Sequence, residues 1–595
     1  MDFQSIKTKG NLLSIIAIFL FGVTITTLTI IKNNNLWSIG YNFHDTYLYL
    51  DYALRLSGVY IGGYEFIDTL SPLIPFLTSI AFRLGFVSEI TLFIITGSFC
   101  VVGVVGLYLL FKLYFKNLIA ILGSVICFSL SINLIWLSTG TIDIASTALS
   151  IWAIYLTFLG VQKNQKYLYL GFSVLVLGFF AKFTAALVFP VMIFIIFNSY
   201  LNNGSFKKHV KKTVIGIIAG IITVIPYGAY LINYNIPIGF INQANEIATK
   251  STAMPPINNI YYYFQSLPII IGNYSINFNN FHIEIFLELL ILGIIITGII
   301  IGIIMFIKFL KNYWNQPDLL FNKIAIKINT KQAIAIMIGN IIVTGLFFFI
   351  VGEISVIFSE IVFFLNIFLF TFLLNKLLIN NGIKTKRINY ILTMFMWFFT
   401  YILFFSAHLV KGTRYFIVMT PPFAFFIILS LESINNRISL EKRKNKQNMD
   451  KKSYFNFKNS AAVILIAIFL VFSISTTSSF GYKSSTDLYH AENVIEASNW
   501  LKTYDIDYKN KTIYSDRGEM LTWLLKKEVI AIGYNSMKNP KIKDNITERM
   551  LNNDTSYYIG ENGLHLNGFA KLKSFGTVTI YINNKKQYKN NKNNK

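Results

Sequence analysis

The run Ile90–Phe111, ITLFIITGSFCVVGVVGLYLLF, decides the fold class. It carries no charge and is longer than the about 20 residues that a helix needs to cross a bilayer. Its apolar residues are continuous and do not alternate, which excludes a strand of a membrane β-barrel. Similar runs surround it. Leu12–Ile31 precedes it, and Leu118–Ser138, Ile142–Gly160, Leu168–Ala181, Thr184–Phe197, Thr213–Tyr234 and Ile283–Ile307 follow. Ala333–Val351, Ile354–Leu374, Ile391–His408, Tyr415–Leu431 and Ala461–Phe480 complete a set of thirteen. The chain therefore reads as an all-α polytopic membrane protein. The runs 168–181 and 184–197 are short, and read equally well as two spans or as one bent, re-entrant segment.

Composition agrees. Of 595 residues, 54% are hydrophobic and only 13% are charged, with a mean hydropathy of +0.55. Soluble domains carry about 25% charged residues, and a chain of this length cannot hide so much apolar surface in a water-soluble core. The net charge of +24 is divided among clusters between spans: Lys112/Lys116, Lys163/Lys166, Lys207–Lys212, Lys308/Lys311, Lys384–Arg387 and Arg437–Lys452. With thirteen spans, all of them share one side with the N-terminus. That is the basic, cytoplasmic side of a cell-membrane protein. A nucleic-acid binder would gather its basic residues on one accessible face, so no nucleic-acid partner is expected. The first run follows Lys7 and Lys9 as in a signal peptide, but no small-residue cleavage site follows. A retained first span is expected. Cys100 and Cys127 lie inside apolar runs and read as packing residues.

Three segments fall on the opposite side: 32–89, 235–282 and everything after Phe480. The transmembrane domain is expected over 1–486, including the external loop 32–89. In that loop Asp45–Ser57 reads as an amphipathic helix. Leu73–Phe82 is an apolar helix too short to span, lying along the outer surface or dipping into it. Residues 487–583 read as a small extracytoplasmic α/β domain with a docking or scaffolding role, and 584–595 as a disordered tail. Its helices are expected at Ala491–Leu501 and Met520–Leu525. Its strands are expected at Thr512–Ser515, Val529–Ile532, Tyr557–Ile559 and Val578–Ile582. The tripeptides starting at Asn510, Asn545 and Asn553 match the N-glycosylation pattern, which also arises by chance in an Asn-rich chain.

Charged groups beside hydrocarbon are costly, so each is a functional candidate. Asp45, just beyond the first span, either deprotonates an acceptor or caps the following helix. Asp51, nearly two turns on, reads in three ways: holding a divalent metal with Asp45, pairing with Arg55 at i+4, or shaping the same cleft. His44 either bonds a phosphate or rests at the interface. Asp143 starts the fourth span, where an acidic cap is the plain reading. Lys182 lies between the two short runs and either meets a lipid phosphate or snorkels. Lys411 and Arg414 stand on the outer side against the charge bias. A bound anion is one reason for them, with His408 one turn before. Together they describe an outward cleft for a lipid-linked phosphate.

Several of these pieces recur in one order: His44-Asp45-Thr46-Tyr47, Asp51-Tyr52-Ala53, Gly62-Gly63-Tyr64 and Ser71-Pro72-Leu73-Ile74-Pro75. Ser138-Thr139-Gly140-Thr141-Ile142-Asp143, Gly178-Phe179-Phe180-Ala181-Lys182-Phe183-Thr184 and Arg414-Tyr415-Phe416 follow. In this, residues 12–480 resemble the GT-C-type membrane glycosyltransferases that use polyprenyl-phosphate sugars. That group includes protein O-mannosyltransferases and lipid A aminoarabinose transferases. The resemblance implies thirteen spans, an outward C-terminal domain and catalysis by Asp45. It implies phosphate contacts from Lys182 and Arg414. Many members have a second acidic residue where Thr46 stands here, so the resemblance supplies no carboxylate pair for a metal. The implied reaction is inverting sugar transfer from a polyprenyl phosphate to a lipid, glycan or protein acceptor. A flippase or exporter of a lipid-linked glycan, and a non-catalytic subunit of a glycan assembly complex, are the rival readings.

Overall fold

The computed structural model describes residues 9–36, 44–58, 70–137, 140–203, 206–241, 261–272, 283–313, 319–320, 327–350, 356–407, 412–445, 451–479, 485–532, 537 and 539–586. A helix occupies every apolar run. The chain opens with α1 (Lys9–Leu36), the loop helices α2 (His44–Ser57) and α3 (Leu73–Arg83), and α4 (Glu89–Lys112). Next come α5 (Asn117–Ser129), α6 (Ser131–Leu137), α7 (Asp143–Gln162), α8 (Lys166–Ala181), α9 (Val188–Asn203) and α10 (Phe206–Asn233). The second half of the bundle holds α11 (Ile283–Tyr313), α12 (Thr330–Ile350), α13 (Val356–Asn380), α14 (Lys386–Ala407), α15 (Thr420–Asn445) and α16 (Lys451–Ser479).

Among the described residues nine helices are long and apolar enough to cross a membrane, or ten if the bent pair α5–α6 is one span. The segments 166–181, 330–346 and 460–474 are apolar but shorter. Length and composition alone therefore support fewer spans than the thirteen read from the sequence.

Small residues let the first spans approach closely, as helix pairs in lipid require. Gly103 and Gly106 of α4 face Ala148 and Trp152 of α7, with no room for a side chain at either glycine. The Trp152 indole donates to the Val102 carbonyl at 2.9 Å. The run 118–138 is not one straight helix, as the sequence reading had it. It bends by 60° between α5 and α6. The bend frees the Cys127 carbonyl, and Asn133 Nδ2 donates to it at 2.6 Å and to Thr420 Oγ1 of α15 at 3.0 Å. A break inside a membrane is tolerated when a neighbour takes up the freed backbone group in this way. A second break falls at Lys182, whose backbone is extended (φ −157°, ψ 126°), so α8 and α9 are separate elements joined by a 3-10 turn, Phe183–Leu187.

The C-terminal domain contains α17 (Ser485–Tyr504), β1 (Ile513–Ser515), α18 (Gly518–Leu525), β2 (Ile530–Ala531), α19 (Pro540–Asn552), β3 (Tyr557–Glu561), β4 (Phe569–Phe575) and β5 (Val578–Asn583). The sheet order is β2-β1-β3-β5-β4. β1 pairs in parallel with β2 and β3, whose connections run through α18 and α19. β5 is antiparallel to β3 and β4. The sequence reading anticipated the central strands, which are buried along almost their whole length. It missed β4, an edge strand with two lysines, and α19, which meets the core only through Ile546, Met550 and Leu551. The domain shares one hydrophobic core with the external loop. Leu50, Ala53 and Leu54 of α2 and Phe82 of α3 pack in the same cluster as Leu521 and Trp523 of α18 and Val494 of α17. α3 shows its other face, Phe76 and Ile80, to the surroundings, as an interfacial helix would.

Candidate functional site

Asp45 stands in the first turn of α2, where the positive end of the helix dipole favours a carboxylate. Arg414 lies in a 3-10 turn, Thr413–Met419, that packs against α6, α7 and α14. Although 369 residues separate them, Arg414 Nη1 donates to Asp45 Oδ2 in an ion pair. A second pair joins Lys182, at the break after α8, to Asp143, the first residue of α7. Tyr415 connects the two. Its ring centre is 4.9 Å from the Lys182 ammonium and 5.4 Å from the Arg414 guanidinium. Trp136 of α6 closes the other side of Arg414 at 5.6 Å. Cations gathered over aromatic faces keep part of their solvation in a low-dielectric setting.

The two pairs differ in exposure. The side chains of Asp45 and Arg414 are 33% and 29% exposed, against 3% and 14% for Asp143 and Lys182. The outer pair is the more open of the two, and in the inner pair Lys182 keeps some exposure while Asp143 is buried. Tyr49, one turn along α2 from Asp45, is buried. Burial, and after it the negative charge of Asp45, raise its phenol well above its usual range, so it remains a neutral hydroxyl.

Methionine at Lys182 is expected to leave Asp143 charged and buried without its partner, at a cost of about 3–5 kcal/mol. Thermal unfolding in detergent measures this. The double change Lys182→Met with Asp143→Leu should recover most of the loss, because it removes the lone charge.

The site therefore unites Asp45, Asp143, Lys182 and Arg414, as the sequence reading grouped them. It does not include Asp51. Six residues after Asp45 at about 100° each place Asp51 about 120° away around α2. There it is 1% exposed, and neither carboxylate oxygen has a hydrogen-bond partner. No hydrogen bond joins its carboxylate to Arg55 or to any group at Asp45. Its charged surroundings are Glu519 and Lys526 of the C-terminal domain. Among the described residues no group of three His, Cys, Asp or Glu could hold a metal ion. His408 and Lys411 lie outside the described residues, and of His44 only the backbone is described, as the first residue of α2. Sequence reasoning did not single out Tyr415, Trp136 or Tyr49. Only the adjacency of Tyr415 to Arg414 hinted at one of them.

Elsewhere in the bundle, α11 to α14 line an apolar cavity of about 410 Å³, with Phe306, Thr344, Phe363, Phe370, Phe395 and Phe399 among its walls.

Residues 70–230 match the sequence profile of the dolichyl-phosphate-mannose-protein mannosyltransferase family. The oligosaccharyltransferase of Archaeoglobus fulgidus, solved with a tethered acceptor peptide bearing an NVT sequon, superposes with a TM-score of 0.50 at 11% identity. The match covers 93% of this chain and 69% of that one. Apo ArnT from Cupriavidus metallidurans gives a TM-score of 0.50 at 9% identity, over 94% and 97% of the two chains. The fold is GT-C-like. No protein of curated function matches the chain in sequence. Within the GT-C-like frame, the profile match contains the inner pair, Asp143 and Lys182, together with Trp136. Asp45 and Arg414 lie outside the matched segment and reach the site through the tertiary fold.

Proposed function

We propose that this chain transfers a sugar from a polyprenyl phosphate to an extracytoplasmic acceptor, with inversion at the anomeric carbon. The observation that carries this reading is the pair of cations, Arg414 and Lys182, held together with two carboxylates at a mouth beside hydrocarbon. The profile match over 70–230 supports lipid-phosphate sugar chemistry, and the fold likeness agrees with it. The acceptor is a lipid, a glycan or a protein.

In the proposed reaction an acceptor hydroxyl attacks the anomeric carbon and gives its proton to Asp45. The bond from that carbon to the phosphate oxygen breaks through an oxocarbenium-like transition state. Polyprenyl phosphate leaves with increased negative charge, which Arg414 and Lys182 stabilise. Arg414 has five N–H donors, so it can hold a phosphate beside Asp45. Once the phosphate takes a share of that guanidinium, the Asp45 carboxylate becomes a freer base. The apolar cavity among α11 to α14 is suited by its lining to part of a lipid chain. Asp45 and Asp51 are too divergent to share a divalent ion, so the metal reading of that pair is not carried further.

The thirteen-span topology belongs to this proposal, with α8, α12 and α16 as shorter spans and α5–α6 as one bent span. It puts the N-terminus in the cytoplasm and both the site and residues 487–583 outside. Single cysteines at positions 45 and 414, the more exposed pair, should react with an impermeant maleimide on intact cells. A cysteine at 208 should react only after permeabilisation. Labelling of 208 from outside, with 45 protected, would overturn the topology.

The activity is tested by mass spectrometry of surface glycans and lipid-linked sugars from cells with and without the chain. A transferase predicts loss of one glycan and accumulation of its lipid-phosphate monosaccharide on the outer leaflet. Accumulation on the inner leaflet would instead indicate a flippase or exporter.

A further inference from the structure

We infer that α18 of the C-terminal domain sets the pose of α2, and so of Asp45, with Asp51 and Lys526 as positioning residues across the seam. The catalytic meaning of this rests on the reading of Asp45 as base, whereas the mechanical part does not.

Three contacts carry it. First, α18 packs directly against α2, and both contribute to one hydrophobic cluster. Second, Trp523 of α18 stacks on Phe82 of α3 with ring centres 5.8 Å apart, and its indole donates to Glu89 at the start of α4. One eight-residue helix thus touches the loop helix, its neighbour and the first long span after the loop. Third, ionisable side chains face the seam from both sides. Asp51 is buried on the face of α2 turned from the reaction, with both oxygens unpartnered.

Lys526 ends α18 in the left-handed region (φ 51°, ψ 42°), a position that glycine normally takes. A lysine retained there is explained by what its side chain reaches. Its ammonium lies over the Trp523 ring, and its charge acts on Glu89 and Asp51. Burial brings Lys526 down to about 7 and lifts Asp51 well above the carboxylate range, and each group acts in the opposite sense on the other. Glu519 and Glu89 on the acidic side, with Lys502 on the basic side, complete the charged surroundings.

The physical consequence concerns aim. α2 is a helix of 14 residues that packs against α3 and against α18. Its orientation comes from what it packs on. Asp45 is at one end and Asp51 in the middle, so loosening the middle swings the carboxylate relative to Arg414. A shift on the order of 1 Å at a reacting group can cost about a hundredfold in rate.

The test uses the full chain in nanodiscs, with Lys526→Met, Lys526→Arg, Asp51→Asn and the double variant Asp51→Asn/Lys526→Met. Hydrogen exchange across residues 44–57 is the first readout, and it needs no substrate. Lys526→Met should speed exchange there by about tenfold, with the spans unchanged, and Lys526→Arg should restore protection. The second readout is binding of undecaprenyl phosphate as a probe, set against turnover in cells. Turnover should fall about tenfold or more while probe affinity stays within about twofold. The double variant should lose no more than the worse single one, as residues acting on one another do.

Unchanged exchange in α2 would overturn the inference. So would parallel losses of probe binding, turnover and thermal stability, which a merely structural lysine would give. If Lys526→Met fails to fold, Asp51→Asn carries the same exchange measurement at nearly constant volume. Faster exchange in a protein whose wild type shows no transfer would sink the proposed function while leaving the positioning intact.

Discussion

Asparagine at Asp45 is expected to lower sugar transfer by about 10²- to 10⁴-fold, the usual worth of a positioned general base. The substitution keeps the size of the side chain and one oxygen that can accept from Arg414, so the site should remain assembled. What it removes is the ability to take the acceptor's proton. Binding of a polyprenyl phosphate should persist or tighten, because Arg414 no longer shares its charge with a carboxylate. Rate and binding therefore move in opposite senses, which distinguishes this change from simple damage. Rates with a labelled lipid-phosphate sugar, beside titration with the bare lipid phosphate, make the comparison. Transfer at the wild-type rate would remove Asp45 from the chemistry.

The second large effect is expected at Arg414. Glutamine there should cost about 10²- to 10³-fold in turnover, in the range seen when a donor to developing negative charge is removed. It should also weaken binding of the lipid phosphate. Lysine should rescue poorly. The guanidinium lies 5.6 Å and 5.4 Å from the Trp136 and Tyr415 ring centres while its fork reaches Asp45. A point charge cannot reproduce a planar fork held beside aromatic rings. Loss of binding and rate together at Arg414, against loss of rate alone at Asp45, is the pattern that the proposed division of labour requires. Equal rescue by lysine would show that only charge matters, and would remove the argument from geometry.

Much of the site was legible because the surroundings are apolar. Asp45, Asp143, Lys182 and Arg414 stood out in the sequence since charges beside hydrocarbon are rare and costly. Their pairing was not legible. Asp143 and Lys182 are 39 residues apart, Asp45 and Arg414 are 369 apart, and nothing local in either segment names its partner. The same logic failed in the water-exposed part. Lys526 resembles any surface lysine until α18 is laid against α2. For Asp51 the helical period gave only a neighbouring face, and which element that face packs on was not legible locally. Trp136 and Tyr415 were hidden by abundance, since an aromatic residue in this chain gives no contrast.

The sequence by itself determined that this is a polytopic membrane protein, which stretches form helices, and which charges demand an explanation. These follow from the solvent: a lipid environment imposes long apolar runs and penalises each exception, residue by residue. Tertiary structure alone decided the 60° bend at α5–α6, the two ion pairs meeting at Tyr415, and the seam that turns Asp51 toward the C-terminal domain. Those depend on which helix faces meet, a property of distant segments packed together that no local pattern encodes.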